Sequence, residues 1–167
     1  MPDQNQIVTE GMDFLRSQLI AVVSWVNATG RPSSAKVFYW MHDHNPKDMD
    51  LYFVTRRSSR KYEDLLRNKD VAVVIGTEFA PQSMQIQGQA EMVSAADAVD
   101  DLKALMARLG TRPSHQRIYA GAFFPKNPFS LIDSEAGFAI FRVKPSWIRY
   151  MGFDKDRNEL FYQDLMA

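Results

Sequence analysis

The sequence predicts a mainly β protein with peripheral helices, its six to seven strands forming an antiparallel β-barrel. Three observations carry that prediction. Short runs rich in β-branched and aromatic residues recur along the chain, bounded by turn residues. The runs at 19–26 and 34–41 are separated by Asn27-Ala28-Thr29-Gly30, which joins them as an antiparallel hairpin. Helical patterns lie between only some of the strands, whereas a doubly wound sheet alternates strand and helix strictly. No internal repeat and no linker rich in Gly, Ser or Pro divides the 167 residues, so one domain spanning 1–167 is expected.

The elements follow in order. Ile7, Met12, Phe14, Leu15 and Leu19 have a helix-like, imperfect spacing, which predicts a short first helix between Gln6 and Gln18. Leu19–Val26 is too short and too β-branched for a helix and reads as a buried strand. Pro32 opens the next run without needing a ladder N–H. Ser34–Met41 then alternates, with Ala35, Val37 and Tyr39 on one face and Lys36, Phe38 and Trp40 on the other. A strand at Asp50–Thr55 is followed by a helix with Tyr62, Leu65 and Leu66 at one-turn spacing. Val71–Gly76 reads as a fully apolar strand, and Met84–Val93 as an alternating one. Gly88 in the middle of the latter marks a bulge or a close backbone approach.

Ser94-Ala95-Ala96-Asp97 opens a helix whose stripe of Ala98, Leu102, Leu105 and Leu109 is core packing, closed by Gly110. A further short helix is expected at Pro113–Ala120, and the aromatic, proline-punctuated segment 123–129 reads equally as an interface or lid and as plain packing. Gly137–Val143 and Trp147–Phe153 are two strands joined across Lys144-Pro145, with a last short strand near Leu160–Tyr162.

Composition excludes several function classes. Twenty cations balance twenty anions, so no net field draws the chain to nucleic acid or to an anionic membrane. There is no cysteine, which removes disulfides, thiolate nucleophiles and cysteine metal sites. His42 and His44 with Asp43 fall in a polar loop that nothing rigid organises, so no metal site is expected there. The N-terminus has neither a charged leader nor an apolar run, and no segment approaches the roughly 18 apolar residues that span a bilayer. A soluble, cytoplasmic protein is expected.

Against this neutral background Leu51–Asn68, LYFVTRRSSRKYEDLLRN, stands out. An apolar strand breaks at Thr55 into a turn of hydroxyls and cations and continues as a helix. A helix N-terminus gathers unpaired N–H groups and the positive end of the dipole. Ser58, Ser59, Arg60 and Lys61 add neutral donors, a planar cationic fork and a point cation, which suits a phosphate. Equally, the stretch reads as a solvated basic turn capped by Ser59.

Pro32-Ser33-Ser34-Ala35-Lys36-Val37-Phe38-Tyr39, then Tyr52-Phe53-Val54-Thr55, then Ser59-Arg60-Lys61, together resemble the FMN-binding split barrel of pyridoxamine 5′-phosphate oxidases. The general-stress-protein branch is the nearer match. The resemblance runs well from about Leu19 to Val93 and more loosely to Pro145–Tyr150. It implies an FMN phosphate held by Thr55, Ser59, Arg60 and Lys61. It also implies a flavin edge along Lys36, Val37 and Phe38, ring contacts from Val54 and Thr55, and Gln85 reaching the ring or ribityl chain. A homodimer with two FMN sites at its interface is implied too. The substrate half of the family pattern is missing. Met41 stands where the oxidases close a strand with lysine, the chain after Tyr150 reads MGFDKDRNEL in place of an R-x-H element, and Met151 stands for a flavin-facing tryptophan. Pyridoxamine phosphate oxidase activity is therefore not expected.

The expected function is an FMN-dependent oxidoreductase acting on an unidentified small molecule, with the flavin supplying the chemistry. No residue pair reads as an acid–base dyad; Tyr39, Arg112 and His115 are loose candidates with structural readings of their own. The competing readings are a non-enzymatic FMN-binding or stress-response protein, and a barrel that binds haem or a deazaflavin.

Overall fold

The computed structural model describes residues 3–41, 49–76, 81–94, 100, 103, 107 and 137–166. The expected His42–His44 loop, the apolar stripe from Ala98 to Leu109, the helix at 113–120 and the 123–129 loop lie outside these residues, as do Arg112 and His115. Helix α1 spans Gln4–Ser17 and buries Ile7, Met12, Phe14 and Leu15. Strands β1 (Ile20–Val26) and β2 (Pro32–Met41) form the expected hairpin, registered from Ile20↔Phe38 to Val26↔Pro32. In its turn, the Asn27 Oδ1 accepts from Thr29 N and Arg31 N, and Gly30 takes the left-handed φ of 76° that favours glycine.

Strand β3 (Leu51–Arg56) leads into helix α2 (Arg60–Arg67), followed by β4 (Asp70–Gly76), β5 (Ser83–Val93), β6 (Phe138–Asp154) and β7 (Glu159–Met166). The order across the sheet is β3-β2-β1-β4-β5-β6-β7, and pairing of β3 with β6 closes a six-stranded antiparallel barrel with β7 as an extra strand. The interior is filled by Tyr39, Phe53, Val73, Ile75, Met84, Ile86, Phe141 and Ile148, with Phe53 and Phe141 stacked at 5.7 Å. No helix among the described residues is long and apolar enough to cross a membrane.

Three local expectations change. The two C-terminal strands are one strand of 17 residues, because Pro145 is absorbed by a bulge instead of ending the ladder. Strand β4 is apolar in sequence but alternates in burial, with Val71, Val73 and Ile75 inside and Val74 45% exposed, because a barrel wall has only one dry face. On α2 it is Asp64 and Leu65 that are buried, while Leu66 is 50% exposed.

The bulge explains Gly88. Opposite β5, Gln87 faces Trp147 and Gly88 faces Pro145, so Ser146 is the extra residue on β6. A Cβ on Gly88 would run into the Lys144 carbonyl oxygen, which is backbone and cannot swing away. Bent here, β6 serves three neighbours: β5 along most of its length, β3 through Phe138–Val143, and β7 through Ile148–Asp154. Gly88→Ala is expected to cost about 3 kcal/mol by forcing these backbones apart. Gly30→Ala, which meets open space and only a backbone penalty, should cost about 1 kcal/mol. Chemical denaturation of the two variants checks the ranking; equal costs would show that the crossing is not tight.

Candidate functional site

The adjacent strands β2 and β3 and the start of α2 together line one cavity. Strand β3 ends at Arg56, and the turn is drawn tight by backbone bonds from Ser59 N to Arg56 O and from Arg57 N to Gly137 O. Ser59 is the N-cap of α2. Its hydroxyl donates to Arg56 O at 2.7 Å, accepts from Tyr62 N at 3.3 Å, and lies 3.1 Å from the hydroxyl of Thr55. Thr55 is buried on the strand. The sequence left a capped turn and an anion site as alternatives; the cap exists, and the cavity beside it decides what else the turn can do.

That cavity, of about 420 Å³, brings together Lys36, Val37, Phe38, Val54, Thr55, Ser59 and Lys61. Three lining residues escaped the sequence reading: Ala35, Arg56 and Phe138. Phe138 could not be found by local pattern, because it arrives from β6 through the long-range register Arg56↔Phe138. Phe38, Val54 and Phe138 give the cavity an apolar, aromatic wall, and Lys61 gives it a cationic end.

Two expected site residues are not brought in. Arg60, the first residue of α2, is exposed outside the lining. Gln85 is exposed on β5. In register it shares a row with Lys36, Val22, Val74 and Arg149, and three strand spacings, about 14 Å, separate it from Lys36. Within one chain Gln85 and the cavity are therefore apart. Met41 packs into the core and offers no polar group.

Lys61 is the electrostatic centre of the site. Its ammonium sits 5.6 Å from the centroid of the Phe53 ring, which lies in the barrel interior. Burial removes water from the charge and lowers its pKa from 10.5 to about 8. An anion arriving at the helix N-terminus would restore the charge. Elsewhere Arg149 makes a two-pronged ion pair with Asp164, at 2.7 and 3.1 Å, and lies 4.9 Å from the Trp147 ring.

Solved structures share this architecture. General stress protein 26 from Bacillus anthracis is 16% identical, with 93% of this chain and 98% of that one aligned at a TM-score of 0.61. A pyridoxamine 5′-phosphate oxidase-related, FMN-binding protein from Nostoc punctiforme is 14% identical, covering 100% and 98% at 0.53. An F420 reductase is 18% identical, covering 81% and 93% at 0.57. A haem-binding protein from Mycobacterium smegmatis is 14% identical, covering 98% and 58% at 0.61. At these identities the likeness is one of fold. No curated protein matches the chain. The family model described as pyridoxamine 5′-phosphate oxidase matches residues 7–152, nearly the whole barrel, and the chain therefore belongs to the pyridoxamine 5′-phosphate oxidase family.

Proposed function

We propose that the protein is an FMN-binding flavoprotein of this family, working as an FMN-dependent oxidoreductase on a small molecule in the cytoplasm. The observation that carries this reading is the cavity with an aromatic wall at one side and a desolvated lysine beside a helix N-terminus at the other. Its volume of about 420 Å³ falls within the usual range of small-molecule sites, roughly 300–1,000 Å³. A flavin mononucleotide has the matching division, a planar apolar ring and a phosphate. Thr55, Ser59, Lys61 and the more exposed Arg60 would hold the phosphate, and Lys36–Phe38, Val54 and Phe138 would border the ring. When bound, FMN supplies reversible hydride and electron transfer. The chain's own groups hold, orient and exclude water, with Phe38 and Phe138 doing the last.

A homodimer belongs to this reading. Ile20 and Val74 are 49% and 45% exposed, and Val74 shares its row with Lys36 and Gln85. A second copy laid on that face would cover apolar surface and carry its own Gln85 toward the first copy's cavity. The deazaflavin reading keeps the same cavity, since such a cofactor also pairs a planar ring with a phosphate, and an F420 reductase shares the fold. The haem reading draws on the haem-binding neighbour, but His42, His44 and His115 all lie outside the described residues. Native mass spectrometry of freshly purified protein decides among FMN, deazaflavin and haem by mass. Steady-state oxidation of reduced nicotinamide separates an oxidoreductase from a protein that only stores flavin.

Three outcomes are expected. Arg60→Ala with Lys61→Ala should lower FMN affinity about a hundredfold or more by removing charged hydrogen bonds; unchanged retention would refute the phosphate assignment. Because Lys61 titrates near 8 in the fold and near 10.5 unfolded, the unfolded chain binds more protons between those values. Stability of the cofactor-free protein should thus rise with pH across that window. FMN binding at pH 8.5 should take up a proton and weaken as pH rises, and Lys61→Met should abolish both effects. Calorimetry in buffers of different ionisation enthalpy measures the uptake. Val74→Glu should give a monomer by light scattering and lose FMN with it.

A further inference from the structure

Helix α2 meets the barrel through two kinds of contact. Leu65 is sunk in the core, and Tyr62 meets Phe141 edge-on at 6.1 Å. These apolar contacts hold the helix down but tolerate small rotations about its axis, and the Tyr62 hydroxyl, which accepts from Arg57 and reaches the Met92 sulfur at 4.0 Å, ties that side of the helix to β5. The second kind is directional. Asp64, 7% exposed, bonds its carboxylate to the β1–β2 hairpin and is not among the residues that line the cavity. Its Oδ2 accepts from Trp25 Nε1 at 2.9 Å and its Oδ1 accepts from Ala28 N at 3.0 Å. Arg67, largely exposed, stands 3.7 Å from Oδ1.

These bonds join the two walls of the cavity. Asp64 lies one turn beyond Lys61 on α2, so fixing its carboxylate fixes the rotation of the helix that carries the cationic end. Trp25 and Ala28 belong to the hairpin whose second strand carries Lys36, Val37 and Phe38. A charged acceptor with two neutral donors in a buried place is strong and intolerant of displacement. Plain packing of α2 would have been served by an apolar residue at this position, since Leu65 already fills the core.

We propose that Asp64 is a positioning residue, setting the Ser59–Lys61 turn at the distance from β2 that a phosphate-bearing flavin requires; this rests on the FMN reading above. Asp64 itself touches no ligand. Its effect should therefore fall on the phosphate and not on the ring.

The test compares FMN with riboflavin, which has the ring and ribityl chain but no phosphate, by fluorescence titration of the full-length protein. Wild type should prefer FMN. Asp64→Asn keeps the shape but can accept from only one of the two N–H donors without turning its amide N–H₂ against the other. It should weaken FMN about tenfold and leave riboflavin unchanged. Trp25→Phe removes one donor, keeps an aromatic in the core, and should shift the same ratio in the same direction. It serves as the second variant if Asp64→Asn does not fold. A wild-type preference for FMN that both variants retain in full, or an equal loss of both ligands, would overturn the assignment of Asp64 alone. A wild type that binds the two ligands equally would overturn the phosphate reading and this inference with it.

Discussion

The barrel depends on one strand being shared. Strand β6 must pair with β5, close the circle against β3, and carry β7 beyond it, and it does so only because it bends at Pro145. A proline in a ladder removes a donor, and a bend needs an approach closer than a side chain allows. Gly88 meets the second need, and the hydroxyl of the bulged Ser146 adds a bond to Gln87 O at 3.3 Å across the same crossing. Closure has a direct consequence for the site. The register that seals β3 to β6 also delivers Phe138 opposite Arg56, so the cavity's aromatic wall is completed by the last pairing of the barrel.

Much of this was legible in the sequence because its signals are local. The strands, the Gly30 hairpin, α2 and its Ser59 cap were read from period and turn chemistry, and Gly88 was marked as a bulge or a close approach when it is both. What escaped depends on which faces the closed barrel leaves wet. The run VAVVIG has no polar residue to reveal an exposed side, and Leu65 and Leu66 are chemically alike, so only the crossing of α2 over the barrel distinguishes them. The two strands expected around Lys144-Pro145 became one because a proline that would end a free strand is held in place by its neighbour across the sheet. Phe138 was out of reach for the same reason, since its partner lies some eighty residues away along the chain.

The site repeats this division. Seven of the expected residues line one cavity because they come from contiguous pieces, the middle of β2 and the passage from β3 into α2. Gln85 came from the family resemblance and stands about 14 Å of sheet away from Lys36. Both facts fit a single geometry if the cavity lies at the contact of two copies, where residues on one face of a sheet serve the other chain. The half-exposed Val74 on that row, and Ile20 on the neighbouring one, would then be interface, and their apolar character would need no other explanation.

A lysine with a pKa near 8 in a cavity invites a reading as a catalytic acid or base. The cause of the shift argues otherwise. Burial, not a like charge, depresses it, with the Phe53 ring beneath the ammonium and no ion-pair partner among the described residues. An anion seated at the α2 N-terminus would supply a counterion and return the lysine to its charged form throughout the physiological range. A lysine whose charge such a phosphate would lock is poorly suited to shuttling protons. Lys61 is thus better understood as a counterion held partly unsatisfied in advance, its desolvation already incurred in folding, so that binding gains its full attraction. If FMN fills the cavity as proposed, Lys61 would report its occupancy through its titration, and a role as proton shuttle would not be needed to explain its shifted pKa.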